Sequence, residues 1–125
     1  MGQPQRTELS VVIPVRDERE CIGALLRETA AVLRPACRFE IIVVDDGSRD
    51  GTAELLDAAA QELPELVVLR HATSAGQSVA LLTGVRQARS PWIATLDGDG
   101  QNDPADLPVL LAEQLRAGAT VRLLA

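Results

Sequence analysis

Closely spaced acidic side chains occur at three points of this chain, each directly after a short apolar run. In the segment TLDGDGQNDP, one glycine separates Asp97 from Asp99, and Gln101 follows on the same turn. A small number of carboxylate oxygens suits Mg²⁺ or Mn²⁺, because water and substrate phosphates complete the coordination of these ions. An EF-hand calcium loop beginning at Asp97 would need glycine and glutamate where this chain has Asn102 and Pro108. The segment therefore predicts a Mg²⁺ or Mn²⁺ site.

The second acidic set lies in VVDDGSRDGT, where Asp45 and Asp46 end an apolar run. Gly47 can adopt a positive φ, and Ser48 or Asp50 can cap the helix that follows. Turn chemistry does not account for two adjacent carboxylates at the end of a buried strand, because their repulsion costs stability unless a ligand or cation uses them. A carboxylate here could accept the N3 proton of uracil or a ribose hydroxyl, and a purely structural role for the pair is the alternative.

The third acidic set lies in VVIPVRDERE, where Pro14 ends strand pairing and places Asp17 and Glu18 near the start of a helix. Two interpretations stay open for these carboxylates. They could complement the helix dipole, or the loop and an acidic side chain could contact the base or ribose of a ligand.

A fourth segment, RHATSAGQSV, has no acidic residue but leads into a helix at Gly76 to Ser78. Backbone N–H groups at a helix start can bind an anion, and Gly76 would permit its close approach. We interpret His71, at the start of this segment, as a solvated loop residue rather than a catalyst.

Strands and helices alternate along the chain and position these loops. Apolar, β-branched runs predict strands at Leu9–Val15, Phe39–Val44, Leu66–Arg70, Trp92–Leu96 and Thr120–Leu124. Amphipathic spacing predicts helices around Ile22 to Leu33, at Thr52–Leu63, at Gln77–Ala88 and at Pro104–Ala117, the last with Asp103 as N-cap. Continuous apolar strands are typical of parallel sheets covered on both faces. The prediction is a Rossmann-like, doubly wound α/β fold, whose ligands bind at the carboxyl ends of the strands.

The domain prediction is a loose tail over residues 1–8 followed by one domain over residues 9–125. We expect this domain to be C-terminally incomplete, because a fifth strand begins at Thr120 and no helix follows. Its unfinished sheet edge at Thr120–Leu124 could pair with another chain to form an oligomer.

The composition excludes several function classes. A net charge of -6, without basic runs interleaved with aromatics, argues against nucleic-acid binding. No apolar stretch approaches the length of a membrane span, so we expect a cytoplasmic location. Reduced cysteines are expected there, and we predict that Cys21 and Cys37 are buried. The chain has no lysine, which both a receiver domain and the GK[ST] motif of a P-loop NTPase would need. It also has no GxGxxG after its first strand, which argues against a Rossmann dehydrogenase.

Four segments taken together, VVIPVRDE, IIVVDDGSRDGT, RHATSAGQSVALLTG and WIATLDGDGQNDP, resemble in order and spacing the nucleotide-binding half of inverting family 2 glycosyltransferases of the GT-A fold. The resemblance runs from Leu9 to about Leu115 and is strongest to bacterial dolichyl- or undecaprenyl-phosphate sugar transferases. It implies metal-dependent transfer of a sugar from a nucleoside-diphosphate sugar to a polyprenyl phosphate at the cytoplasmic face of a membrane. A catalytically incomplete fragment or a nucleotide-sugar sensor is the alternative.

The same resemblance implies a role for each matching residue. The donor nucleotide would contact Pro14, Val15, Glu18, Asp45, Asp46, Gly76, Gln77, Asp97 and Gly98. Asp97 and Asp99 resemble the DxD motif and would hold Mg²⁺ or Mn²⁺, with Asp99 as the direct ligand and Gln101 assisting. No catalytic base is identified, since relatives supply it from sequence that would lie beyond Ala125. Many relatives read DADLQ where this chain has DGDGQ, and often have asparagine where it has Ser74.

Overall fold

Five parallel strands alternate with four helices in the computed structural model, which describes residues 6–99, 103–116 and 122–124. The elements are β1 (Leu9–Val15), α1 (Arg19–Leu33), β2 (Phe39–Asp46), α2 (Thr52–Glu62), β3 (Leu66–His71), α3 (Gln77–Gln87), β4 (Trp92–Thr95), α4 (Asp106–Arg116) and β5 (Arg122–Leu124). The strand order is β3-β2-β1-β4-β5, and every neighbouring pair is parallel. The predicted doubly wound α/β fold is confirmed.

The larger core lies between the sheet and the three helices α1, α2 and α4. Alternate strand residues such as Val11 and Val43 point into it, where they meet Ile22, Leu56 and Leu107 from the three helices. Because the intervening strand residues are buried against the opposite face, the strands are apolar almost throughout rather than alternating.

The opposite face of the sheet is covered by α3. Ala80 of this helix packs against Val12 of β1 and Val44 of β2. Gly84 brings the helix close to the sheet, because a Cβ atom there would lie 2.4 Å from Cγ1 of Val12 and 3.2 Å from Cγ2 of Val44. This close packing places the amino-terminal end of α3 beside the carboxyl ends of β1 and β2.

Three strand ends differ from the predictions. β2 continues through Asp46 and β3 through His71, because these last residues keep their parallel pairing, with Asp46 opposite His71. β4 ends at Thr95, one residue before the predicted end. The acidic pair after β2 therefore lies within the strand and not in the loop, so the pleat sets the directions of its two side chains.

The last helix begins at Asp106 and not at Pro104 as predicted. Asp103 accepts a hydrogen bond from the backbone N–H of Ala105 at 3.0 Å, and so stabilises a turn that precedes the helix. The predicted end of this helix and the first two residues of the predicted fifth strand lie outside the described residues.

Neither cysteine is fully buried. Cys21 is exposed on the outward face of α1, and Cys37 is only partly buried. The prediction of buried cysteines is therefore wrong. Within the described ranges, no helix is long and apolar enough to cross a membrane. The backbone N–H of Glu8 donates to the carbonyl of Arg38 at 2.7 Å, which ties the chain before β1 to the start of β2. The oligomer expected through β5, at one edge of the sheet, stays a prediction.

A buried carboxylate lies at the amino-terminal edge of the sheet. Glu40 of β2 is 3% exposed and accepts hydrogen bonds from the Ser10 hydroxyl at 2.6 Å and from the Arg89 backbone N–H at 2.9 Å. These bonds join β1, β2 and the chain after α3. Because this edge is opposite the carboxyl ends of the strands, the cluster serves packing and not the candidate site.

Candidate functional site

A cleft of about 420 Å³ lies at the carboxyl edge of the sheet. Its lining comes from the loops after β1 and β4, the end of β2 and the start of α3. The lining residues are Pro14, Val15, Arg16, Glu18, Asp46, Gly76, Gln77, Ala80, Asp97, Gly98 and Asp99. Three separate acidic segments of the sequence therefore meet in one place.

Nine of the predicted site residues lie in this lining, and two do not. Asp45 is not among the lining residues, and Gln101 lies outside the described residues. Arg16 and Ala80 also line the cleft but were not among the predicted site residues. Arg16 stands between Val15 and Asp17 in the first acidic segment, and Ala80 lies one helical turn after Gln77, so helical spacing was the signal that could have identified it.

The loop after β1 is held against the loop after β2 by main-chain to side-chain hydrogen bonds. The backbone N–H of Asp17 donates to the Ser48 hydroxyl at 2.9 Å, and the Asp17 carboxylate accepts from the backbone N–H of Arg49 at 2.8 Å. The backbone N–H of Glu18 donates to the Thr52 hydroxyl at 3.1 Å. Asp17 adopts a φ of 53°, which is uncommon for a residue other than glycine. These contacts place the Glu18 side chain at the cleft.

Negative charge is concentrated around Glu18. Burial raises the pKa of its carboxyl group, and repulsion from Asp99, Asp50 and Asp17 raises that pKa further. A divalent cation at this end of the cleft would offset the repulsion, because an opposite charge nearby favours the ionised carboxylate.

The loop after β4 carries the two residues of the predicted metal site. Asp97 and Asp99 are exposed, whereas Gly98 between them is buried. A Cβ atom at Gly98 would lie 2.6 Å from Cγ1 of Val15 and 3.2 Å from the carbonyl oxygen of Pro14. Gly98 therefore allows the loops after β1 and β4 to lie in contact, and so places both carboxylates at the cleft.

These side chains fit a hard divalent cation. Asp97 and Asp99 offer carboxylate oxygens at the rim of a cleft that has room for a diphosphate. No group of three or more His, Cys, Asp or Glu side chains in the described part of the chain is arranged to hold a metal by itself. Mg²⁺ is commonly held by one or two carboxylates together with substrate phosphates and water, and such a site needs no complete protein cage.

Asp45 and Asp46 have different surroundings, although they are adjacent in the sequence. Asp45 is 2% exposed and accepts a hydrogen bond from the backbone N–H of Ser48 at 3.0 Å, and the Arg70 guanidinium lies 3.8 Å from it. Successive residues of a strand point to opposite faces, so the two carboxylates have separate partners. The structure thus offers an explanation of the pair that needs no ligand, and the predicted base or ribose contact of Asp45 stays a prediction.

Asp46 accepts four hydrogen bonds from β3 and the loop that follows it. Its Oδ1 atom lies 2.7 Å from Nδ1 of His71 and 2.8 Å from the backbone nitrogen of Ala75. Its Oδ2 atom lies 2.9 Å from the Ser74 hydroxyl and 2.9 Å from the backbone nitrogen of Gly76. Burial alone would raise the pKa of this carboxyl group, but the four hydrogen bonds together hold it well below its usual range. Asp46 is therefore ionised, and the Gly76 N–H is not available to an anion.

His71 is a strand residue with a structural contact at each ring nitrogen. Besides its contact with Asp46, its Nε2 atom lies 2.9 Å from the Thr83 hydroxyl of α3. The interpretation of His71 as a solvated loop residue is wrong, because β3 continues through it and both of its ring nitrogens contact protein side chains. His71 does not line the cleft.

The sequence is similar to known glycosyltransferases. The family model described as Glycosyl transferase family 2 matches residues 10–123. An undecaprenyl-phosphate 4-deoxy-4-formamido-L-arabinose transferase of Pseudomonas fluorescens is 44% identical over 120 residues, which cover 91% of this chain and 35% of that protein. The transferase of the same name from Pseudomonas aeruginosa is 47% identical over 105 residues, covering 82% of this chain and 31% of that protein. The chain thus spans about a third of the length of these curated relatives.

Solved structures agree with the sequence comparison. The mannosyltransferase PcManGT of Pyrobaculum calidifontis, in complex with GDP-Man and Mn²⁺, superposes with a TM-score of 0.72 at 26% identity, covering 83% of this chain and 31% of that one. TarS of S. aureus in complex with UDP superposes with a TM-score of 0.70 at 25% identity, covering 84% of this chain and 31% of that one.

Proposed function

Since this chain belongs to glycosyl transferase family 2, we propose that it forms the nucleotide-binding half of an enzyme that transfers a sugar from a nucleoside-diphosphate sugar to a polyprenyl phosphate. The observation that carries this proposal is the cleft in which three acidic segments meet at the carboxyl edge of a parallel sheet. Ligands of doubly wound sheets bind at this edge. The names of the curated relatives support the acceptor class.

The donor nucleotide would lie along the cleft. Pro14, Val15 and Glu18 would line its nucleoside end, where the hydrogen bonds between the first two loops hold Glu18 in place. Gly76 and Gln77 would line the wall formed by α3. As the resemblance implies, Asp45 and Asp46 would supply the contact to the base or ribose; Asp46 lies in the lining, and Asp45 does not.

The diphosphate end would lie beside Asp97, Gly98 and Asp99. The side chains of Asp97 and Asp99 would hold Mg²⁺ or Mn²⁺, with Gln101 as the predicted assisting residue. The bound cation would stabilise the charge that develops on the leaving diphosphate. The neighbouring structure that contains Mn²⁺ and GDP-Man supports a divalent cation for this site.

With a polyprenyl phosphate as acceptor, the protein need not supply a strong general base. The second pKa of a phosphate monoester is about 6, so the attacking oxygen is already largely ionised near neutral pH. Transfer to such an acceptor needs no strong general base, and no catalytic base is proposed among the described residues. Because the acceptor is a membrane lipid, the enzyme would act at a membrane surface.

Calorimetric titration with UDP and GDP, with and without Mn²⁺, tests the proposal. We expect binding that depends on Mn²⁺ and weakens about tenfold or more in Asp99→Asn, which removes a charge at the proposed metal site. Glu62→Gln, an exposed residue near the end of α2, makes the same charge change away from the cleft and should bind as the unmodified protein does. Binding that is absent, or that is equal with and without the metal, would contradict the proposal.

A further inference from the structure

We propose that the guanidinium group of Arg16 stacks on the base of the donor nucleotide. This inference rests on the proposed function, which places the nucleoside of a nucleoside-diphosphate sugar beside the loop after β1. A base is a flat aromatic group, and the side chains on which bases stack in proteins are aromatic rings and the guanidinium plane of arginine. The cleft therefore has to offer one of these two groups.

None of the chain's aromatic rings lies among the described residues that line the cleft. The chain contains one tryptophan, one phenylalanine and no tyrosine. Trp92 is 2% exposed and Phe39 is 6% exposed, and both belong to the larger core. The single histidine, His71, does not line the cleft either. A base that enters the cleft has to stack on another kind of side chain.

Arg16 is exposed and is the only cationic residue among the lining residues that the structure describes. The face of an aromatic ring carries partial negative charge, which attracts a cation and repels a carboxylate. Val15 and Ala80 are 3% and 0% exposed, so their apolar side chains present little surface to a ligand. Four of the remaining lining residues are carboxylates, namely Glu18, Asp46, Asp97 and Asp99.

The Arg16 guanidinium is not engaged elsewhere in the described part of the chain. It forms no hydrogen bond or ion pair with a described residue, although four carboxylates line the same cleft. Ion pairs with carboxylates hold four other arginines, which are Arg34, Arg38, Arg70 and Arg89. Arg16 therefore keeps its planar cation available for a ligand.

The backbone on both sides of Arg16 is fixed. Val15 pairs with Asp45 of β2, and the backbone N–H of Asp17 donates to the Ser48 hydroxyl at 2.9 Å. Arg16 lies between these two attachments, so its side chain leaves the backbone from a defined position at the cleft. A base that stacks on it need not order the loop as well, which would cost conformational entropy.

The donor diphosphate is the other group that an arginine in this cleft could bind, because guanidinium groups also recognise phosphate. In the proposed function, however, the diphosphate lies beside Asp97 and Asp99, where a divalent cation offsets its charge. Arg16 belongs to the loop that lines the nucleoside end. The base is therefore the favoured partner.

Three substitutions of Arg16 separate stacking from charge. Arg16→Ala removes both, Arg16→Lys keeps the charge without the plane, and Arg16→Tyr supplies a plane without the charge. In calorimetric titrations of UDP and GDP with Mn²⁺, Arg16→Ala and Arg16→Lys should weaken binding about fivefold or more, and Arg16→Tyr should bind within about twofold of the unmodified protein. The proposal is overturned if Arg16→Lys keeps the affinity, or if Arg16→Tyr loses as much of it as Arg16→Ala.

Pyrophosphate with Mn²⁺ is a second probe, because it has no base. Arg16→Ala should bind pyrophosphate as the unmodified protein does, and a loss as large as the loss for UDP would assign Arg16 to the phosphates and overturn the proposal. Arg27 is an exposed arginine of α1 that does not line the cleft. Arg27→Ala removes the same charge and should leave the binding of both probes unchanged.

Fluorescence of Arg16→Tyr reports directly on the contact, because this variant carries the only tyrosine of the chain. Saturation with UDP should quench the tyrosine emission, since a stacked base quenches the ring, whereas pyrophosphate should not. Unchanged emission in the UDP-bound variant would contradict the proposal.

The failure of this inference can be distinguished from the failure of the proposed function. If the unmodified protein binds neither UDP nor GDP, both fail. If it binds them in the presence of Mn²⁺ but Arg16→Ala binds them equally well, only the stacking of Arg16 is rejected. Because the Arg16 side chain is exposed, its variants should keep the thermal midpoint of the unmodified protein, which excludes misfolding as the cause of weaker binding.

Discussion

Gly84→Ala tests the close packing of α3 on the sheet. A Cβ atom at this position would lie 2.4 Å from Cγ1 of Val12 and 3.2 Å from Cγ2 of Val44. Both valines are fully buried in inner strands, and their branched side chains have restricted χ1 rotamers. Neither can move aside at low cost, so the helix itself must shift away from the sheet.

The expected magnitude follows from two opposing effects. Alanine is favoured over glycine in a helix interior by about 1 kcal/mol. Overpacking a buried site costs about 1–3 kcal/mol and occasionally more. The contact at 2.4 Å is far inside the ordinary carbon–carbon separation of about 3.5–4.0 Å, which places the cost at the upper end of that range. We expect a net loss of about 1–2 kcal/mol in the free energy of unfolding.

Urea denaturation measures this loss, and Gly23→Ala provides the matched control. Gly23 also lies inside a helix, but a Cβ atom there would meet only the Arg27 side chain, at 3.6 Å or more. The control should gain stability, by up to about 1 kcal/mol. The midpoint of unfolding should therefore move in opposite directions for the two glycines, with an unchanged slope. Because α3 carries Gln77 and Ala80 into the cleft, Gly84→Ala should also weaken nucleotide binding.

A double variant identifies the contact responsible. Val12→Ala alone should destabilise the protein by leaving a cavity, whereas in the Gly84→Ala background it removes the clashing methyl group. The two losses should therefore be less than additive. A Gly84→Ala protein that is as stable as the unmodified one, or strictly additive losses in the double variant, would refute the described packing of α3.

Three buried or half-buried carboxylates, Glu18, Asp46 and Glu40, should each change the stability of the protein when they are replaced. Glu18→Gln should raise the thermal midpoint of the ligand-free protein at pH 7, because burial and repulsion from Asp99 raise the carboxyl pKa in the folded state. The cost of ionising Glu18 develops as pH rises from the unfolded pKa of about 4.3 to the higher folded-state pKa, so calorimetry should show the advantage of the variant vanish below about 4.3. The pKa shift of Asp46 has the opposite sign, because hydrogen bonds outweigh desolvation and lower the pKa of its carboxyl group in the folded state. The ionised carboxylate therefore stabilises the fold above the unfolded-state pKa of about 3.9, and this stabilisation is lost as pH falls. Asp46→Asn should accordingly flatten the dependence of the unfolding free energy on pH between about 5 and 2, and an unchanged slope would contradict the stabilisation of the ionised Asp46 carboxylate by its hydrogen bonds. Glu40→Ala should cost about 1–3 kcal/mol in urea denaturation, since the Ser10 hydroxyl and the Arg89 backbone N–H both lose the Glu40 acceptor, while nucleotide affinity should not change.

Local sequence patterns were sufficient to predict the architecture and the edge of the sheet at which the cleft lies. Apolar strands that alternate with amphipathic helices predict a parallel sheet, and a parallel sheet collects the ends of its strands at one edge. Loops that are far apart in the sequence therefore meet, as Glu18 and Asp99 do in the cleft. Residue types at the ends of the runs were enough for this inference, because chain direction alone determines which loops share an edge.

The partners of the acidic residues depended on the tertiary structure. Sequence presents Asp45 and Asp46 as one pair whose repulsion calls for a ligand, but the pleat separates them. Asp45 meets Arg70, whereas Asp46 meets His71 and the loop after it. The register of β2 against β3 determines which donors surround each carboxylate. This register depends on residues that are far apart in the sequence.

In the DGDGQ segment, too, the sequence determined the chemistry and the tertiary structure determined the packing. Its residue types alone predicted a Mg²⁺ or Mn²⁺ site, because these ions prefer hard oxygen ligands; the diphosphate beside it was implied by the family resemblance. That Gly98 must lack a side chain was decided by Val15, which belongs to a different loop. Ligand preference and secondary-structure periodicity depend on residues that are close in the sequence. Close packing and hydrogen-bond partners, in contrast, depend on segments that are distant in the sequence and meet only in the folded chain.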